Sequence, residues 1–99
     1  MTRRGSPMTD QPSADAQAQI AGLRQRIDDL DTRIVALLNE RARYALEIRH
    51  LKPQVHMGLY DPKREEEIFA QVASCNDGPL FDDNLREIFE AILHVMKEL

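Results

Sequence analysis

From Ile20, alternate steps of three and four residues land on Ile20, Leu23, Ile27, Leu30, Ile34, Leu37, Arg41, Tyr44, Ile48 and Leu51. All but Arg41 are apolar or aromatic. A 3.5-residue repeat sustained this far predicts one long helix with a continuous apolar seam. After Gly22 neither Pro nor Gly interrupts it until Pro53, which cannot continue a helix and restricts the residue before it. A helix from about Asp15 to Leu51 would be ~50 Å long. A compact domain of about 100 residues has a radius of gyration of only about 13 Å. The chain has 99 residues, one domain at most, and cannot cover such a helix by itself. Two long helices from two chains, lying side by side, would cover each other's seams.

The remainder reads as two shorter helices. Pro53 to Tyr60, containing Gly58, is expected to be a loop. Asp61-Pro62-Lys63-Arg64-Glu65 is a helix start, since Asp61 can accept from exposed backbone N–H groups and Pro62 suits the first helical position. This second helix should run to about Ser74 with Ile68, Phe69 and Val72 inward. Asn76-Asp77-Gly78-Pro79 breaks the chain. Asp82 or Asp83 opens a third helix, whose inward face is expected to be Leu85, Ile88, Phe89, Ile92, Val95, Met96 and Leu99. No strand candidate is present, so the fold class is all-α. Residues 1–14, rich in Gly, Ser, Pro, Thr and Asp, are expected to be a disordered tail, with Met8 as a second candidate start. Residues 15–99 form the domain.

Composition narrows the function. A formal net charge of −4 and a pI near 5.3 argue against nucleic acid or a membrane surface as partner, but not against a small anion. No apolar run approaches the ~20 residues of a membrane span, and no apolar signal region follows Arg3 and Arg4, so the cytoplasm is the default location. Cys75, the single cysteine, reads as a small buried or half-buried side chain. His50, His56 and His94 lack metal-ligand spacing, and no metal or cofactor is expected.

Arg41 stands at a seam position, where a buried charge needs an anionic partner. It either snorkels or pairs with Glu40 or Glu47, or it faces a ligand. Lys52 lies eleven residues further on, about three helical turns, and projects from nearly the same face. Two cations facing a helix-lined interior favour an anion between them. Arg24 points elsewhere on the same helix and reads locally as an exposed cation beside Asp28, although an antiparallel partner helix could return it to such a pocket. Asp61 and Glu65 suit a helix first turn. Arg64 could face an anion, and Glu65 could accept from a hydroxyl. No nucleophile–base pair, phosphate loop or metal cluster occurs. An enzyme built from these residues would work by positioning and electrostatics.

Taken in order, Leu23-Arg24, Ile27, Leu30-Asp31, Leu37-Leu38, Glu40-Arg41, Leu51-Lys52, Tyr60 through Glu67 and Ile88-Phe89 make the chain from about Ala21 to Leu99 resemble the all-helical (AroQ-class) chorismate mutases. The resemblance implies a domain-swapped, intertwined homodimer of three-helix protomers, with two active sites that each use both chains. It implies no cofactor, and it implies conversion of chorismate to prephenate in phenylalanine and tyrosine biosynthesis. By position, Arg24 would come from the other protomer and clamp carboxylate with Arg41. Lys52 would reach a carboxylate and the ether oxygen, and Arg64 would supply a further cation. Glu65 would bind the substrate hydroxyl, and Asp61 would act through its backbone. Met96 stands where many relatives have a serine against the ring carboxylate. The family's ether-binding Gln or Glu would fall just beyond Leu99, so the chain is either cut short there or lacks that group. Two other readings remain: an isochorismate pyruvate lyase on the same fold, and a non-catalytic helical dimerisation or regulatory module. A mutase that becomes efficient only with a partner, such as the first enzyme of the shikimate pathway, is a further possibility.

Overall fold

The structure is a computed structural model that describes residues 5–55 and 61–99, with side chains described over 13–54 and 61–99. Three α-helices follow in order: α1 (Gly5–Leu51), α2 (Pro62–Ser74) and α3 (Asp82–Lys97). A 3-10 turn, Lys52–Val55, continues from α1. Among the described residues there is no strand, as the sequence led us to expect. The expected loop Pro53–Tyr60 is thus partly a 3-10 turn, and residues 56–60 lie outside the described residues. The chain divides into two compact units, residues 1–39 and 40–99.

In the first unit the described residues are all helical. The helix begins at Gly5, earlier than the expected start near Asp15. Pro7 falls in the first turn, where an N–H has no intrahelical partner and its loss costs little. Residues 1–4 lie outside the described residues. Every side chain from residue 13 to 37 is exposed. The apolar seam is therefore uncovered: Ile20, Leu23, Ile27, Leu30, Ile34 and Leu37 are 46–61 % exposed.

The second unit contains the end of α1, α2 and α3. Helix α2 starts as its sequence requires. The Asp61 carboxylate accepts from the Arg64 backbone N–H at 3.0 Å, the Glu65 N–H reaches the Asp61 carbonyl at 3.1 Å, and Pro62 occupies the first helical position. Between α2 and α3, Asn76 organises the turn. Its Oδ1 accepts from the Gly78 N–H at 2.9 Å, while its Nδ2 donates to the Leu80 carbonyl and to Asp82 Oδ1. Gly78 has φ of 77°, a left-handed conformation that glycine adopts without a Cβ clash. At the start of α3 the Asn84 side chain accepts from the Phe81 N–H at 2.9 Å, closing the first turn.

Helices α2 and α3 pack against each other. Leu93 is the one buried apolar side chain among the described residues. Leu85, Phe89, Ile92 and Met96 on α3, and Ile68, Phe69 and Val72 on α2, are partly covered. The expected inward face of α3 is corrected in two ways: Leu93 belongs to it as its most deeply buried member, while Ile88, Val95 and Leu99 remain exposed. At 100° per residue Ile92, Leu85, Met96, Phe89 and Leu93 share an arc of about 100° with Leu93 at one edge, and Leu99, Ile88 and Val95 fall beyond the other edge. Arg86 links the two helices. Its guanidinium lies 4.1 Å from the Phe69 ring centroid and 3.0 Å from Glu66 Oε2. Cys75 is exposed rather than half-buried, because it forms the C-cap of α2 where the chain turns outward.

Candidate active site

The second unit forms an open cavity of about 420 Å³ between the end of α1, the start of α2 and the end of α3. Arg41, Lys52, Asp61, Arg64, Glu65 and Met96, all singled out from sequence, line it together. Their convergence has local causes. Arg41 and Lys52 share a helix face, the Asp61 cap fixes where α2 starts, and that start brings Arg64 and Glu65 to the cavity wall. Arg24, the remaining residue singled out, is exposed in the first unit and does not line the cavity.

The charged part of the wall is predominantly basic. Arg41, Arg49, Lys52, Arg64 and Lys97 face two carboxylates, Asp61 and Glu65. Part of the acid is already engaged: Lys97 Nζ lies 2.6 Å from Glu65 Oε2, and Asp61 caps α2. Arg64 makes a 3.5 Å exposed contact with Glu67. Arg41 is half-covered, and among the described residues no carboxylate pairs with it, neither Glu40 nor Glu47. Burial, and secondarily the positive charge of Arg64, lower the pKa of the Arg41 guanidinium from its ordinary value. A guanidinium stays protonated regardless. A cation disfavoured by desolvation and by a like charge is one that an incoming anion stabilises. The apolar part of the wall, which includes Ile48, Ile68, Leu93 and Met96, lowers the local polarisability and strengthens such an interaction. Chemically the cavity can bind a small, multiply charged anion and present one carboxylate, Glu65, as a hydrogen-bond acceptor. Among the described residues no group of His, Cys, Asp and Glu is placed to hold a metal ion.

Two charged wall residues were not read from the sequence. Arg49 donates from Nη1 to the Lys97 carbonyl at 2.9 Å, and Lys97 carries the ion pair to Glu65. The signal for Arg49 was present, since it stands about two turns after Arg41, close to the Lys52 side of the helix. Lys97 gave none beyond a cation in a last helical turn, where cations are common.

Compared with known proteins, residues 23–99 match the family model described as chorismate mutase type II. The chain belongs to that family. Solved chorismate mutase structures from Thermus thermophilus share its fold. Form II superposes with a TM-score of 0.79 at 37 % identity, covering 82 % of this chain and 92 % of that one. A bifunctional chorismate mutase/prephenate dehydratase from Stutzerimonas stutzeri is 36 % identical over 80 residues, covering 76 % of this chain and 22 % of that protein. The chorismate mutase of Methanocaldococcus jannaschii is 28 % identical over 82 residues, covering 82 % of this chain and 83 % of its own length. This chorismate mutase-family chain thus spans about a fifth of the length of its bifunctional relatives. No helix among its described residues is long and apolar enough to cross a membrane.

Proposed function

We propose that the chain converts chorismate to prephenate, and that it does so as an intertwined homodimer. The observation that carries the activity is the cavity in which Arg41, Lys52 and Arg64 converge with Glu65. Chorismate carries two carboxylates, a hydroxyl and an ether bond. It rearranges in one pericyclic step, with negative charge developing on the ether oxygen as that C–O bond breaks and a C–C bond forms. No proton donor or nucleophile is needed. The residues must hold the folded diaxial conformer and favour the developing charge more than the ground state. Arg41 suits a carboxylate through its planar fork. Lys52 suits both a carboxylate and the ether oxygen as a compact cation. Glu65 accepts from the hydroxyl, Arg64 adds positive potential, and the Asp61 backbone shapes the rim. Met96 packs beside the ring without donating a hydrogen bond.

The dimer is supported by the seam of α1, which has six apolar side chains uncovered in the first unit, and by a core with one buried apolar residue in the described chain. So small a core is insufficient for a stable domain. A second copy of α1, antiparallel, would cover the seam and bring the partner copy's Arg24 to the cavity as the second carboxylate clamp. The lyase alternative is not favoured, since the relatives and solved structures named above are mutases or mutase-containing enzymes. A purely structural module leaves the basic cavity without a use. The test is to follow chorismate absorbance with purified protein and identify prephenate. Release of salicylate from isochorismate with chorismate left unchanged would overturn the proposal.

A further inference from the structure

We propose that Lys97 is a positioning residue for Glu65, holding that carboxylate so that one oxygen remains directed at the ligand hydroxyl; this rests on the mutase reading above. A last-turn lysine ordinarily complements the helix dipole from the surface, and neighbouring His94 behaves that way, reaching Glu98 within its own helix at 3.6 Å with both side chains about 70 % exposed. Lys97 differs in three respects. Its ion pair joins α3 to α2 rather than closing within one helix, at 2.6 Å. Its acceptor Glu65 is only 23 % exposed and lines the cavity, as Lys97 does. Its own backbone is anchored, because Arg49 donates to the Lys97 carbonyl at 2.9 Å, a group left without an intrahelical partner at the helix end.

The chain of constraint therefore runs from α1 through Arg49 to the end of α3, and through Lys97 to the carboxylate on α2. A glutamate side chain free at χ3 can present either oxygen in many directions. With Oε2 engaged by the ammonium, its rotation is fixed and Oε1 is left to accept. The ammonium also offsets a negative charge that would otherwise oppose a dianionic ligand at close range. The hydroxyl sits on the carbon beside the breaking C–O bond but keeps its own bonds throughout, so its hydrogen bond is already made in the ground state. Loss of the pair should therefore appear in KM rather than in kcat.

The experiment compares the wild type with Lys97→Met, Lys97→Arg, Glu65→Gln and the double variant Lys97→Met/Glu65→Gln, all as full chains, by steady-state kinetics on chorismate. Lys97→Met should raise KM on the order of tenfold, the scale of one charge-assisted hydrogen bond, with kcat changed less than about threefold. Lys97→Arg, which keeps the ion pair, should restore most of the loss. In the Glu65→Gln background the Lys97→Met change should add less than about twofold, because the two residues act as one unit. An unchanged KM in Lys97→Met, an arginine variant as impaired as the methionine one, or full additivity in the double variant would each overturn the positioning role. If the wild type leaves chorismate unchanged, the mutase reading fails and this role with it; if the wild type is active and Lys97→Met matches it, only this inference fails.

Discussion

Along the part of α1 that belongs to the second unit, one face is apolar and exposed while another is basic and covered. Tyr44, Ile48 and Leu51 are more than half exposed. Arg41, Ala45 and Arg49, together with Lys52 at the start of the 3-10 turn that continues the helix, are centred roughly a quarter-turn away at 3.6 residues per turn; they are partly covered and reach the cavity with α2 and α3. Ordinary folding buries apolar groups and leaves cations in water. Here the intrachain packing does the reverse, which is costly unless two further surfaces are supplied. An anion would offset the desolvation of the basic face, and an apolar surface from elsewhere would cover the seam. Arg41 sits where the two faces meet, and a seam residue can be both a neighbour of the apolar stripe and part of a binding wall.

The largest expected effect comes from the basic face. Arg41→Ala and Lys52→Ala should each lower kcat by at least ~100-fold, in line with loss of one transition-state donor. Circular dichroism should show helix content retained, since removing a partly buried cation relieves a desolvation cost. Near-wild-type turnover in either variant would show that the covered basic face has no chemical role. Next comes the apolar face. Replacing Ile27 and Ile34 together by Glu places charge on the seam, where burial against a partner is expensive. Sedimentation equilibrium should then fall from twice the 11.4 kDa chain mass toward a single chain, with activity lost in parallel. A double variant that keeps the wild-type mass would mean the seam is not an interface. The smallest effect tests how α2 is set against both faces. Asp61→Ala removes the acceptor for the Arg64 N–H and should cost about 1 kcal/mol, seen as a fall in Tm of about 4–8 °C. Asp61→Asn, which can still accept, should lose less.

Much of this contrast was legible in the sequence because its signals are local or periodic. The 3.5-residue repeat located α1, Pro53 follows closely on its observed end at Leu51, and Asp61-Pro62 fixed the start of α2 to the residue. The convergence of Arg41, Lys52, Arg64 and Glu65 followed from their resemblance to a known pattern, and spacing alone accounted only for the first two. What stayed hidden depends on where helices meet. Leu93 fits the periodicity of α3 as well as Ile92 does, and only the packing of the helices selects it for burial. Lys97 and Arg49 look like solvated cations until the ends of α1 and α3 lie side by side. The early start of α1 was obscured by Pro7 and Pro12 and by a polar composition typical of tails.

The central claim is that each active site draws on two chains, and mixing two inactive variants tests it most directly. Arg24→Ala and Arg41→Ala should each be nearly inactive alone. Unfolded together in equal amounts and refolded, they should pair at random, so that about half of the dimers are mixed and each mixed dimer has one site lacking both arginines and one intact. Activity should recover to roughly a quarter of the wild-type value per total site. No recovery, with mixed dimers demonstrated by mass spectrometry, would contradict the account and assign Arg24 to its own chain's site or to a structural role.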